Sequence, residues 1–117
     1  MSFSSSIVIR TQFEGYHRYP DAGSIDPRIK FLEDRHRHMF HVTVKIAVTH
    51  DDRELEFFLC KWAIQEFIRS SEMNHKSCEM IAKEIIQEHL IPSYGHRQYE
   101  VTVSEDGESD GIVTYNP

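Results

Sequence analysis

The sequence predicts an α+β fold, a four-stranded antiparallel sheet covered on one face by two helices, in the order ββααββ. Three observations carry that expectation. Two long runs near the start alternate apolar and polar residues with period two. The middle of the chain carries apolar residues at helical spacing, and two further alternating runs close the sequence. A sheet with one apolar face needs a cover, and the two helices supply it.

The first strand is expected over residues 3–17, where Ile7, Ile9, Phe13 and His17 fall on one side of an extended chain. A loop with Pro20, Gly23 and Pro27 follows, and these residues are expected to break regular structure there. The second strand is expected over 37–50, and its even positions His38, Phe40, Val42, Val44, Ile46 and Val48 share a face that extends back to His36. The two strands then form a wide hairpin.

From 54 to 69, Leu55, Phe58, Leu59, Trp62, Ile64 and Phe67 recur at helical spacing. A second helix is expected from Ser77, a suitable N-cap, to about Leu90, with Pro92 as the stop and Cys78, Ile81, Ala82, Ile85 and Ile86 as its buried stripe. The run 99–105 alternates again. Residues 106–111 read as a turn before the last strand at 112–115.

Composition narrows the function. A chain of 117 residues suits one domain with one kind of site. Thirteen basic against nineteen acidic residues, a formal charge of −6, argue against nucleic acid as a partner, because phosphate binding needs clustered Lys and Arg. No run approaches the length of a membrane span, and the first six residues lack the pattern of a signal peptide, so a cytoplasmic protein is expected. Cys60 and Cys78 form no CxxC pair, which leaves metal chemistry to histidine.

Three histidines meet that requirement. His17, His36 and His38 each stand at the end of a strand pattern on its apolar face, so three imidazoles gather at the mouth of the core as a candidate metal site. His41 has the opposite parity and is left out. Glu105 ends the row Tyr99, Val101, Val103 in the same way, and parity alone leaves two readings open: a carboxylate with a partner in the site, or a residue leaving the sheet at a turn. His50, His75, His89 and His96 show no comparable grouping.

The motifs that hold these residues resemble the 6-pyruvoyl tetrahydropterin synthase and 6-carboxytetrahydropterin synthase family along most of the chain. Phe13-Glu14-Gly15-Tyr16-His17-Arg18 is similar to its F-x-A-A-H-R motif, and His36-Arg37-His38-Met39-Phe40-His41-Val42 to its H-G-H-N-Y-H-V strand. Residues 77–85 resemble its T-S-E-N-I-A-K helix start, and 101–105 its V-x-V-x-E-T strand. The resemblance implies the tunnelling fold, in which subunits pair sheet edges into barrels as a homo-oligomer, a trimer or hexamer with sites between subunits. It implies Zn2+ on His17, His36 and His38, and a pterin-like small-molecule substrate whose ring is anchored by Glu105 beside the Ser77 hydroxyl. Three imidazoles leave a fourth position on zinc open, and a carboxylate accepts two parallel N–H donors from an aminopyrimidine.

Two departures bear on the reaction. The family cysteine four residues before the first histidine of H-G-H is Leu32 here, which cannot ionise. Glu33 follows, and Glu33-Asp34-Arg35-His36-Arg37-His38 resembles the E-x-x-H-G-H signature of a subgroup in which glutamate replaces the cysteine and the side chain of dihydroneopterin triphosphate is cleaved to 6-hydroxymethyl-dihydropterin. That makes Glu33 the candidate general base, against the plainer reading of one charge in a solvated run. The family's L-D-H relay is reduced to Met73-Asn74-His75, with His75 as the candidate relay histidine. The expectation is a zinc-dependent pterin lyase. The alternatives are 6-carboxytetrahydropterin synthesis on the 7-deazaguanine (queuosine) pathway, or a zinc-containing pterin-binding homologue without catalysis.

Overall fold

Period-two alternation becomes two long paired strands. In the computed structural model, which describes residues 2–117, β1 (Ser5–His17) and β2 (His36–Val48) run antiparallel with Ser5 opposite Val48 and His17 opposite His36. β3 (Tyr99–Glu105) pairs with the other side of β2, and β4 (Ser109–Tyr115) pairs with β3. The sheet order is therefore β1-β2-β3-β4, and β1 and β4 are its open edges. Phe40, Val42, Val44 and Ile46 meet Tyr99, Val101 and Val103 in one buried layer, as their shared parity requires.

The segment between β1 and β2 differs from the expected irregular loop. It holds α1 (Ala22–Ile25) and a 3₁₀ helix (Pro27–Glu33). Pro27 starts the second of these, where its missing N–H has no partner to lose, and the Asp26 carboxylate accepts from the Arg28 N–H at 2.9 Å. Proline thus nucleates a turn here that it was expected to break.

α2 (Phe57–Arg69) begins on Glu56, whose carboxylate accepts from the Phe58 and Leu59 N–H groups. Its buried side takes only part of the apolar set read from the sequence. Cys60 and Ile64 are buried, with Leu55, Phe67 and Ile68 packed against the core, while Phe58, Leu59 and Trp62 face outward. Apolar residues occupy two sides of this helix, and spacing alone could not say which side meets the sheet.

The second helical region also departs from expectation. α3 (Cys78–Glu84) passes into a π-helical stretch (Ile85–Leu90) and then α4 (Ile91–Tyr94), running through Pro92 rather than stopping before it. The Ile91 N–H bonds to the Ile86 carbonyl five residues back. That wider turn precedes a proline that has no N–H to place, and the helix ends only at Gly95, with φ of 88°. The Tyr99 hydroxyl lies 3.1 Å from the Leu90 carbonyl and 2.6 Å from that of Gly95, fixing the helix end to β3.

The last turn is shorter than expected, since β4 already begins at Ser109. Asp106 and Gly107 both take positive φ, 56° and 73°, which lets the hairpin close tightly. Gly111 on β4 admits the start of α3, because a Cβ there would lie 2.8 Å from the Glu79 backbone nitrogen. No helix among the described residues is long and apolar enough to cross a membrane.

Candidate metal centre

Register brings the three histidines together. His17 ends β1 opposite His36, and His38 lies opposite Gly15, so all three rings rise from the same end of the sheet. One ring nitrogen of each lies within 4.8 Å of the others. The rings meet edge to face with centroids 4.7 to 5.2 Å apart, above Phe40, which stacks in turn on Phe13. The apolar core is the floor of the site.

Each imidazole is oriented through Nδ1. His17 donates to the Lys76 carbonyl at 2.9 Å, His36 to the Asp34 carbonyl at 2.9 Å, and His38 to the Asp106 carboxylate at 2.6 Å. All three partners can only accept, so each neutral ring carries its proton on Nδ1 and presents an Nε2 lone pair. The Nε2 atoms of His17 and His38 are buried without a hydrogen-bond partner. Anchored Nδ1 and free, convergent Nε2 are the arrangement that metal-binding histidines use.

Glu105 sharpens the point. Its two carboxylate oxygens lie 3.2 Å from His17 Nε2 and 3.6 Å from His38 Nε2, close contacts that do not have hydrogen-bond alignment. Lone pairs facing a carboxylate repel, whereas a cation among them would be attracted by all. The donor set suits a metal ion, and three imidazoles beside a carboxylate suit zinc. The Cys78 thiol donates to Glu105 at 3.8 Å, and burial first, then the Glu105 and Glu79 charges, push it up to about 12. Without a cation beside it, Cys78 stays a thiol at neutral pH.

The remaining expected site residues spread around this centre. Ser77 caps α3, its hydroxyl accepting from the Met80 N–H at 3.2 Å, and it follows Lys76, whose carbonyl holds His17. Glu33 accepts from the Gly23 N–H at 2.8 Å and touches no imidazole among the hydrogen bonds and ion pairs. His75 is exposed, in the segment where the Asn74 carbonyl accepts from the Arg18 N–H at 2.9 Å. His41 faces away, as its parity requires. A cleft of about 550 Å3 runs along the free edge of β1 past Phe13, Tyr16, Arg35 and Met73, and the metal histidines do not line it.

Asp106 is the site residue that parity missed. It accepts from the Met39 N–H at 2.9 Å as well as from His38, and these two bonds, the His38 one first, hold its carboxyl below the usual range. The Asp106-Gly107 pair signalled only a turn in the sequence. Its place beside His38 follows from the pairing of Phe40 with Glu105, which a single strand pattern does not reveal.

No protein-family model matches the chain, and no curated protein matches it. Fold and site together define an α+β protein with a three-histidine centre able to hold a metal ion.

Proposed function

We propose that the protein is a zinc-dependent pterin enzyme of the tunnelling-fold type, acting on 7,8-dihydroneopterin triphosphate and cleaving its side chain to 6-hydroxymethyl-dihydropterin. The observation that carries this reading is the trio of imidazoles with Nδ1 anchored and Nε2 converging beside Glu105. Motif resemblance at the same residues supports it. Zinc, when bound, polarises substrate side-chain oxygens and lowers the barrier to proton loss beside them. The chain's own groups do the rest. Glu105 accepts N–H donors from the ring, the Phe40 and Phe13 floor excludes water beneath the imidazoles, and Glu33 moves the proton with the oxygen that Gly23 leaves free.

Assembly belongs to the same reading. β1 and β4 are open edges of opposite character, since residues 104–117 contain no Lys or Arg while Arg10, Arg35 and Lys61 line the clefts along β1. Edge pairing between copies into a barrel would satisfy both edges and bring a neighbour's residues toward each centre.

A second reading, pterin binding without turnover, is favoured by the engagement of Glu33 with Gly23 and by the solvent exposure of His75. Incubation of zinc-loaded protein with dihydroneopterin triphosphate, with products identified by mass spectrometry, decides between them. A hydroxymethyl product that disappears in Glu33→Gln supports the first reading. A carboxy product would move the protein to the 7-deazaguanine pathway, and tight pterin binding with no product would establish the second.

A further inference from the structure

In this acidic chain most arginines are tied to carboxylates. Arg37 lies 3.2 Å from Glu14 on the sheet face that no helix covers, and Arg28, Arg53, Arg69 and Arg97 each pair with an acid. Among the described residues, Arg10 and Lys61 form no ion pair, yet they line the same cleft. This cleft, of about 580 Å3, wraps the middle of β1 from the uncovered face of the sheet to α2, and no carboxylate lines it. Gln12, His41 and Thr43 add side-chain donors, none of them hydrogen-bonded to another part of the protein, while Gln65 is held by its Nε2 donating to the Thr11 hydroxyl at 3.0 Å.

Register explains why both cations stay free. Arg10 stands opposite Thr43, with Val8 and Gln12 beside it on β1 and His41 and Lys45 on the diagonals, so no neighbour on its face is acidic. On α2 the positions that could pair with Lys61, three and four residues away, are Phe57, Phe58, Ile64 and Gln65. Glu14, the nearest acid along β1 on that face, is already engaged by Arg37. Two cations sharing a cleft repel each other, and an anion between them reverses the sign of that energy.

We propose that this cleft is a binding site for a phosphate group, free or carried by a small polar molecule. A guanidinium, an ammonium, an amide, an imidazole and a hydroxyl arrive from β1, β2 and α2, which suits the several oxygens of a tetrahedral anion better than the two coplanar oxygens of a carboxylate. Apart from His41 no ring lines the cleft, so a nucleobase would find little to stack on. The site is separate from the metal centre. Gln12 pairs with His41 and His17 with His36, five residues further along each strand, a distance of about 17 Å, and the imidazoles of the metal centre rise from the other face of the sheet. The inference therefore rests neither on zinc nor on the proposed reaction.

The test is a titration of the full-length, zinc-free protein with inorganic phosphate and, separately, ribose 5-phosphate, followed by amide nuclear magnetic resonance. Saturable shifts should gather at residues 10–12, 41–43 and 61–65 and recur unchanged with zinc bound. Arg10→Gln and Lys61→Gln should each raise the dissociation constant about 10-fold, the effect of losing one charged hydrogen bond. Lys83→Gln, the same change of net charge on α3, should alter it less than about twofold. Tighter binding of ribose 5-phosphate would place the anion on an organic carrier, and equal affinity would make the free ion sufficient. Absence of saturable shifts over the millimolar range would overturn the proposal, as would an equal weakening in Lys83→Gln, which would reduce the effect to net charge. Loss of assembly mass in Arg10→Gln and Lys61→Gln, with no phosphate shifts in wild type, would assign the cations to the acidic β4 edge of a second copy and overturn it as well.

Discussion

The two ends of the sheet each hold a polar cluster, and they are completed differently. At the end where β1 begins and β2 finishes, Glu54 accepts from the Thr49 N–H and hydroxyl at 2.7 and 2.5 Å and from Arg97 at 2.5 Å, while Arg97 also donates to the Ala47 carbonyl at 3.1 Å. The ion pair closes on itself. At the other end, His17, His36 and His38 have every Nδ1 satisfied, yet two Nε2 atoms remain buried without a partner. A saturated cluster fixes a loop, whereas one whose unmet atoms all face one point is prepared for an ion.

The strongest way to break the contrast is to remove a ligand. His36→Ala should abolish stoichiometric zinc retention, exceeding the roughly 100-fold loss at the upper range of supporting-residue effects, as read by metal analysis after gel filtration. Folding should survive, because His36 is only partly buried at the sheet end. Asp106→Asn keeps the contact to the Met39 N–H but removes the charge behind His38, and should weaken zinc by about 10- to 100-fold in a competition titration with a chromophoric chelator. Equal affinity in the variant would mean that His38 is oriented by packing alone.

Smaller effects separate the site from its frame. Gly111→Ala should cost about 1–3 kcal/mol in urea unfolding, since its Cβ would collide with the α3 backbone, and the cost should appear with or without metal. The Glu54 cluster should respond to acid alone. Hydrogen bonds from Thr49 first, then Arg97, hold Glu54 at about 2 against an ordinary 4.5, so its contribution to stability is complete above pH 4.5 and is lost as pH falls toward 2. In Glu54→Gln the decline of the melting temperature across that window should be shallower than in wild type. An identical slope would show that the cluster adds nothing to folding.

Much of this is legible in the amino-acid sequence. Parity alone put Phe40, Val42, Val44 and Ile46 in the core and His17, His36 and His38 at its mouth, because side-chain alternation is a local property of an extended chain. What escaped depends on pairings between distant segments. Lys76 and Asp34 serve the site through backbone carbonyls, which any residue could offer, and Asp106 reaches His38 only through the register of β2 with β3. The outward turn of Phe58, Leu59 and Trp62 escaped for a related reason. A helix with two apolar sides does not announce which one the sheet takes. The π turn before Pro92 left no local mark either.

Position 106 illustrates how few amino acids such a centre tolerates. Its φ of 56° favours Asp, Asn or Gly, its two bonds from Met39 and His38 need two accepting side-chain oxygens, and His38 asks for negative charge. Only aspartate satisfies all three. Saturation mutagenesis scored by zinc retention should therefore give a single winner at 106, with asparagine next, whereas the neighbouring Glu108, exposed on the same turn, should accept most substitutions.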